Sequence, residues 1–178
     1  MLKKQPKHTP GFTIVELLIV IVVIGILAAI TIVAFNGVQN KATNASVLTD
    51  MRNFKTKVEM SKVTFGTYPA GQFNANMTPL EFKATKGAYA TSPATENNMW
   101  YCRNSTMSKW SLTVLSKSQN IYTVTESTSP TLYTGSATWS SSAQNCDQII
   151  GSDQGWSIAG YAASDTTTGP WRTWVGGN

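Results

Sequence analysis

The sequence has few of the residues that enzymes use for chemistry. Its 178 residues include one histidine, His8, and two cysteines, and only 13% of them are charged. Because His8 lies in the first ten residues, the rest of the chain has no imidazole for a Ser-His-Asp or Cys-His arrangement. Two cysteines without a nearby histidine are also too few for a structural zinc site. We therefore expect neither an enzyme nor a protein that holds a metal or another cofactor.

The net charge is also too small to indicate a nucleic-acid partner. The formal charge of +5 comes from 14 Lys and Arg against 9 Asp and Glu. Three of the lysines, Lys3, Lys4 and Lys7, precede a long apolar run, and without them 11 basic residues face 9 acidic ones. Phosphate recognition needs Lys and Arg clustered on one face. Direct nucleic-acid binding is therefore not expected.

The apolar run from Phe12 to Phe35 is the strongest single feature of the sequence. About 24 residues of helix span roughly 36 Å, enough to cross a hydrocarbon core of about 30 Å. A secretory signal has a shorter apolar region, of about 7 to 15 residues. Basic residues flank the start of the run, so the N-terminus is expected in the cytoplasm and the chain after Asn36 outside it. This predicts a single-pass membrane segment.

One carboxylate, Glu16, interrupts the apolar run near its start. A charge at the centre of a membrane helix costs about 2.5 to 3.5 kcal/mol. A position near the membrane edge, at the positive end of the helix dipole, would ease that cost. Such a position explains why the carboxylate is tolerated but not why it is there.

The residues around Glu16 form a recognisable junction. Gly11-Phe12-Thr13-Ile14-Val15-Glu16, followed by LLIVIVVIGILAAI, resembles the leader junction of type IV prepilins, the precursors of pilins and pseudopilins. The resemblance implies that residues 1–11 are a leader, removed between Gly11 and Phe12 by a prepilin peptidase, and that Phe12 is then N-methylated. It also implies that Glu16 pairs with the N-terminal amine of a neighbouring subunit, and that an assembly platform builds the filament.

The apolar helix departs from a common pilin pattern at Val33, where many members of that family have a proline that kinks the helix. Flexibility would then have to come from Gly25, because glycine costs about 1 kcal/mol relative to alanine in a helix. The alternative role for Gly25 is as a close-packing site. The pilin subclass stays open.

A second helical segment is predicted from residue 36 to residue 63. Apolar residues recur there at intervals of three or four, which is typical of a helix that buries one face, while most charged residues fall on its other faces. Asn36-Gly37 could break the helix instead, since this pair favours turns. The predicted buried stripe is Val38, Ala42, Ala45, Leu48, Met51, Phe54 and Val58.

The remainder of the chain is predicted to hold a connecting loop and a small antiparallel sheet. Residues 64–98 are rich in Gly, Pro, Thr and Asn, which indicates a loop. From residue 99 to residue 178, strand patterns begin at Met99 and recur near Trp110 and Ile121, with weaker ones at 131–139 and 156–162. The fold class is therefore α+β, with a long N-terminal helix packed on the sheet.

The two cysteines, Cys102 and Cys146, lie in the part of the chain expected outside the cytoplasm, where a disulfide is the default. It would close a loop of about 45 residues, for which chain entropy gives roughly 4 kcal/mol. The pilin resemblance agrees, because that family often ties its C-terminal region to the sheet with a disulfide.

Three other features have weaker interpretations. The six tryptophans all lie beyond residue 98 and could serve adhesion, although large aromatics usually fill a core. Acidic residues among glycines could hold calcium, but their spacing fits no EF-hand loop. Three N-x-Ser/Thr triplets are glycosylation candidates only where a glycosylation system exists. These acidic and asparagine positions are Asp147, Asp153, Asp165, Asn44, Asn76 and Asn104.

These features together predict a structural subunit. It would first sit in the inner membrane as a precursor and then polymerise with copies of itself into an extracellular pilus-like filament. A pseudopilin of a type II secretion or DNA-uptake system is the alternative within the same family. A membrane-anchored ectodomain for adhesion or ligand binding is the alternative from another class.

Overall fold

The computed structural model describes residues 11–69, 82–90, 97–135 and 139, together with the backbone of 157–162 and 175–176. The chain divides into two compact units, Met1–Gln39 and Asn40–Asn178. The first contains the N-terminal part of a long helix. The second contains the rest of that helix and the strands.

Helix α1 runs without interruption from Ile14 to Phe65. It continues through Asn36 and Gly37, so the turn tendency of that pair does not break it. Its end is set by Gly66, which has φ of 79° and whose N–H donates to the Lys62 carbonyl at 2.8 Å. Glycine takes this left-handed conformation without a Cβ clash, which is why helices commonly stop there. The helix is two residues longer than the predicted end at residue 63.

The main sheet has five strands, β2 (Asn97–Arg103), β3 (Trp110–Leu115), β4 (Ile121–Thr125), β5 (Thr131–Leu132) and β6 (Ser157–Ala162). Their order across the sheet is β5-β4-β3-β2-β6. Neighbouring strands are all antiparallel, and the predicted meander is confirmed in β2, β3 and β4. Strand β6 comes from far along the sequence and pairs with the other edge of β2.

Short elements interrupt the segment predicted as an irregular loop over 64–98. Strand β1 (Phe82–Lys83) pairs in parallel with β7 (Val175–Gly176), and a 3-10 helix covers Lys86–Ala88. Strand β2 then begins at Asn97, two residues before the predicted start. A strand of two residues is too short to show an alternating pattern in the sequence. The partner of β1 is also more than 90 residues away, so no local signal indicates the pairing.

The weak strand prediction over 131–139 is too long. Pairing ends after Leu132, and Tyr133 makes the last ladder bond, from its N–H to the Ile121 carbonyl at 2.8 Å. Tyr133 to Gly135 are not in a strand, and residues 136–138 lie outside the described part. Ser and Gly, which are poor strand formers, follow directly.

The helix buries a narrower stripe than predicted. Val47, Met51, Phe54 and Val58 are fully buried, and Leu48 is partly buried against them. Ala42 and Ala45 are exposed and Val38 is 66% exposed, so the prediction is wrong at these three positions. Periodicity alone cannot tell where along a helix its packing begins, and here the fully buried positions start at Val47.

Aromatic side chains form the centre of the core. Trp110 is fully buried and stacks on Tyr101 with ring centroids 6.2 Å apart, while Phe54 meets both rings edge to face at 5.8 and 6.1 Å. Trp100 is also buried, on the other side of the sheet. Burying an aromatic side chain of this size is worth about 1.5 to 3 kcal/mol. These two tryptophans therefore serve the core rather than adhesion; Trp156, Trp171 and Trp174 lie outside the described side chains.

Two charged helix residues predicted to face solvent instead hold the sheet. Lys55 donates three hydrogen bonds from Nζ to the carbonyls of Thr125, Glu126 and Thr128, at 3.0, 2.9 and 2.7 Å. Glu59 accepts one from the Trp110 indole N–H at 3.0 Å. Long polar side chains at the edge of a core can bury their stems while their ends find partners. The sequence pattern does not distinguish these from solvated charges.

Candidate assembly site

The predicted processing junction is accessible in this structure. Gly11 and Phe12 lie in irregular chain just before α1, and Phe12 is 87% exposed. Among the described residues, no heavy atom lies within 4 Å of the point where a Cβ on Gly11 would sit, apart from its immediate chain neighbours. A peptidase can bind a peptide bond only where the chain around it is exposed and not held in a helix or strand. The geometry is thus compatible with cleavage between Gly11 and Phe12, which stays a prediction.

Glu16 caps the start of the helix together with Thr13. The Glu16 Oε2 accepts hydrogen bonds from the Thr13 N–H at 2.8 Å and from the Thr13 hydroxyl at 2.7 Å. In return the Glu16 N–H donates to the Thr13 hydroxyl at 3.2 Å. This is the capping-box arrangement, in which a Thr and a Glu three residues apart satisfy each other's backbone groups. The sequence shows the spacing T-I-V-E, but the predictions for Glu16 were a position at the membrane edge near the helix dipole and a role in assembly, and neither included a cap.

The capping geometry gives Glu16 a local partner that the sequence reasoning missed. Its carboxylate lies in the first turn, where the helix dipole favours negative charge. Glu16 is nevertheless exposed, so another molecule can reach the same carboxylate. One residue can therefore satisfy the helix end in a single chain and offer an anion to a neighbour.

The surface that follows Glu16 is apolar on all sides. Every residue from 11 to 40 is exposed, and the most apolar 18-residue window of α1 has a mean hydropathy of 3.3 with none of it buried. Within the described residues, α1 is the helix that is long and apolar enough to cross a membrane. Its one hydroxyl in mid-span, that of Thr31, donates to the Ala28 carbonyl at 2.9 Å. Such a surface is stable only in lipid or against other apolar helices.

Gly25 and Val33 both lie in regular helix. Among the described residues, no side chain lies within 4 Å of a Cβ built on Gly25, so no packing contact within this part of the chain requires a glycine there. A role for Gly25 in helix flexibility stays a prediction.

The predicted disulfide, calcium and glycosylation residues are either at least partly buried or outside the described part of the chain. Cys102 is fully buried and is not a free thiol. Its predicted partner Cys146 lies outside the described residues, so the disulfide between them stays a prediction. Asp147, Asp153, Asp165 and Asn76 also lie outside, and among the described residues no group of His, Cys, Asp and Glu could hold a metal ion.

Asn104 is built into the turn between β2 and β3. Its Oδ1 accepts from the N–H groups of Ser108 and Lys109, both at 2.8 Å, and its Nδ2 donates to the hydroxyls of Thr106 and Ser108, both at 2.7 Å. The side chain is only 6% exposed. A glycan on Asn104 would require this network to break, so the structure argues against that triplet as a glycosylation site.

Comparison with known proteins supports the prepilin resemblance. Residues 7–32 match the family model described as the prokaryotic N-terminal methylation motif. The chain therefore carries the N-terminal signature of the type IV pilin and prepilin family. It is also 34% identical over 68 residues to the type II secretion system core protein G of Vibrio cholerae serotype O1.

That similarity covers only part of both proteins. It extends over 38% of this chain and 46% of the relative, so the chain matches a little under half of the relative's length. No solved structure matches this chain. The long helix and small antiparallel sheet are those of a pilin-like α+β subunit.

Proposed function

We propose that this chain is a structural subunit of a type IV pilus-like filament. A prepilin peptidase cleaves the precursor between Gly11 and Phe12, and Phe12 is N-methylated. The mature chain is anchored in the inner membrane with its N-terminus toward the cytoplasm. It then polymerises with other copies into a filament outside the membrane. The observation that carries the proposal is an apolar helix with no buried residue from 11 to 40 and a single carboxylate in its first turn.

The apolar helix dictates two successive environments. Lipid covers it before assembly, and equivalent helices of neighbouring copies cover it afterwards. Contacts of this kind join different surfaces on successive copies, and head-to-tail contacts that do not close into a ring produce an open helical filament. The function is structural rather than catalytic.

Glu16 supplies the electrostatic term in this assembly. Cleavage creates an ammonium group at Phe12, and burying that cation among apolar helices without an anion is costly. The Glu16 carboxylate of a neighbouring copy can neutralise it. Before assembly the same carboxylate accepts hydrogen bonds from the Thr13 N–H and hydroxyl. The Glu16 carboxylate therefore has hydrogen-bond donors in the single chain as well.

A pseudopilin of a type II secretion system is the second candidate, favoured by the similarity to core protein G. Both candidates use the same cleavage and the same helix. Deletion of the gene separates them. Loss of long surface filaments supports the pilus subunit, whereas loss of protein export without loss of surface filaments supports the pseudopilin.

The test of the assembly role compares Glu16→Ala with Glu16→Gln. Glutamine can still accept the Thr13 hydrogen bond and is a regular capping-box residue, but it has no charge. Losing one partner of a buried ion pair costs about 3 to 5 kcal/mol. That corresponds to a drop of at least about a hundredfold in assembly affinity. Both variants are expected to insert and be cleaved, and both are expected to fail in assembly.

The measurement is the ratio of sheared filament to membrane-bound mature subunit by immunoblot, with each variant expressed alone. Normal filament yield from Glu16→Gln together with loss from Glu16→Ala would assign the residue to helix capping alone. Normal yield from both variants would show that Glu16 has no part in assembly.

A further inference from the structure

An open groove lies on the second unit, between the last turns of α1 and the segment that follows β4. It encloses about 690 Å³. Small-molecule sites in proteins enclose roughly 300 to 1,000 Å³. Met60 and Val63 line the groove on the helix side, and Ser129 and Pro130 line it on the other. Met60 is 57% exposed and Val63 is 88% exposed, so both side chains are open to contact by another molecule.

The groove has a fixed shape in the single chain. Lys55 lies in its wall, and the Lys55 Nζ donates to three carbonyls of the chain just before Ser129, at 2.7 to 3.0 Å. These hydrogen bonds tie the segment after β4 to α1. A ligand therefore meets a preformed groove, and its binding free energy is not spent on ordering the walls.

Most polar side chains of the lining already have hydrogen-bond partners within the chain. The hydroxyls of Thr56 and Thr64 donate to helix carbonyls four residues earlier, at 3.0 and 2.9 Å. Glu59 accepts from an indole N–H at 3.0 Å, and Lys62 donates to a tyrosine hydroxyl at 3.3 Å. A ligand with many polar groups would find few partners here, and buried polar groups without partners are costly.

Arg52 differs from the other polar residues of the lining. It is exposed, and within the described part of the chain no group accepts a hydrogen bond from its guanidinium. With Lys55 and Lys62 it gives the lining three cations against one carboxylate, that of Glu59. This excess of positive charge attracts an anion, and a guanidinium can hold a carboxylate through two N–H groups.

The free cation and the exposed apolar side chains are separated along α1. Along the helix axis, Met60 is about 12 Å and Val63 about 16 Å from Arg52, at about 1.5 Å per residue. A molecule with an anionic head and an apolar tail matches this separation, with its head at Arg52 and its tail along the other two residues.

A second copy of this chain fits the groove less well. Among the described residues, Glu16 is the one carboxylate that is exposed rather than partly or fully buried. The proposed function pairs that carboxylate with the Phe12 amine of a neighbour. The described surface of another copy therefore has no free carboxylate for Arg52.

We propose that this groove, formed by Arg52, Met60, Val63 and Pro130, binds a single-chain anionic amphiphile of the long-chain carboxylate class. The Arg52 guanidinium binds the carboxylate, and the three apolar side chains contact the alkyl tail. This inference goes beyond the proposed function and does not depend on it, because the groove is complete within one chain.

The first experiment uses the full mature chain in nanodiscs of neutral phospholipid and a dodecanoate probe that carries a diazirine on its tail. After irradiation, adducts are mapped by mass spectrometry. Adducts are expected on Met60, Val63 or Pro130, and they should be competed by dodecanoate but not by dodecanol. Labelling of residues 12–35 by probe dissolved in the bilayer is the internal control. Absence of adducts in the groove, or equal competition by dodecanol, would overturn the proposal.

The second experiment removes the charge that holds the head group. Arg52→Gln is expected to lower groove labelling about tenfold at low probe concentration, the size of one lost charge-assisted hydrogen bond. Labelling of residues 12–35 in the same molecules should not change. Lys117→Gln makes the same charge change at an exposed position outside the lining and should label as wild type. Wild-type groove labelling in Arg52→Gln would contradict the proposal.

The third experiment tests the tail contact. Val63→Ser is expected to lower groove labelling about fourfold, which corresponds to the loss of about one buried methylene contact. Val38→Ser is the matched control, because Val38 is an exposed valine of the same helix outside the groove lining. Circular dichroism establishes that both variants are folded. If Val63→Ser and Val38→Ser both label as wild type, the tail does not lie along this part of α1 and the proposal fails.

Discussion

Replacement of Asp50 should reveal how the helix holds the segment that connects it to the sheet. Asp50 lies in α1 and is 5% exposed. Its Oδ2 accepts from the Thr85 N–H at 2.7 Å and from the Tyr89 hydroxyl at 3.0 Å, and its Oδ1 accepts from the Thr85 hydroxyl at 3.3 Å. Tyr89 is itself fully buried in the core. Asp50 therefore fixes the chain around the 3-10 helix Lys86–Ala88 against α1.

The size of the effect follows from two opposing terms. Asp50→Ala removes the carboxylate that accepts hydrogen bonds from the Thr85 N–H and from the buried Tyr89 hydroxyl, and each lost bond costs about 1 to 3 kcal/mol. The substitution also removes a carboxylate whose burial is unfavourable, and this offsets part of the lost free energy of unfolding. We expect a net loss of about 2 to 4 kcal/mol for Asp50→Ala. Asp50→Asn keeps one acceptor oxygen and should lose about 1 kcal/mol.

The pH dependence has a definite sign. Burial raises the pKa of Asp50 above 3.8, and the hydrogen bonds from Thr85 and Tyr89 offset only part of that rise. The folded state therefore binds the proton more tightly than the unfolded state, so this residue makes the protein less stable as pH rises from about 3.8 through the raised pKa. Asp50→Asn should remove that component.

The assay is urea unfolding of the mature chain in detergent, followed by tryptophan fluorescence. With a slope of about 1 to 3 kcal/mol per molar urea, a loss of about 3 kcal/mol lowers the midpoint by roughly 1 to 3 M. The reasoning would be refuted by an unchanged midpoint for Asp50→Ala. It would also be refuted if the slope of stability against pH above pH 3.8 were the same in wild type and Asp50→Asn.

Three further outcomes are expected. Intact mass of the assembled protein should give a chain that begins at Phe12 with one added methyl group; retention of residues 1–11 would instead support a membrane-anchored ectodomain. Cys146→Ser should lower the stability of the sheet unit by about 2 to 5 kcal/mol in thermal unfolding under non-reducing conditions, and an unchanged midpoint would contradict the predicted disulfide. Asn104→Ala should destabilise the β2–β3 turn by about 2 to 3 kcal/mol, measured by urea unfolding, whereas Asn104→Asp, which keeps the acceptor for Ser108, should lose less.

The N-terminal part of this protein was largely predictable from sequence. A run as long and apolar as Phe12 to Phe35 has few structural options, because every backbone group in lipid must be bonded within the segment. The junction around Gly11 and Glu16 is a local pattern whose residues are all adjacent, so it can be recognised without tertiary structure. The three-strand meander was also predictable, since each of its strands follows the previous one along the chain.

Contacts between distant parts of the chain were not predictable in this way. The position of β6 beside β2 and the pairing of β1 with β7 join residues far apart in the sequence, and no local period records them. The same holds for Asp50 and Lys55, which look like ordinary surface charges in a helical pattern. Only the tertiary structure brings a hydroxyl, an N–H or a carbonyl to each of them.

Helix α1 shows the difference between what the sequence pattern predicts and what the tertiary structure adds. Its apolar spacing determined that it has a face for the core, but the spacing continues through Val38, Ala42 and Ala45, which the structure leaves exposed. Burial depends on whether another element lies opposite the residue, and a repeating sequence pattern contains no record of where that element begins. The sequence by itself thus determined the long helix, its apolar N-terminal part and the motif at its start. The tertiary structure decided which residues of the helix are core and which stay exposed, because burial needs a second element opposite them.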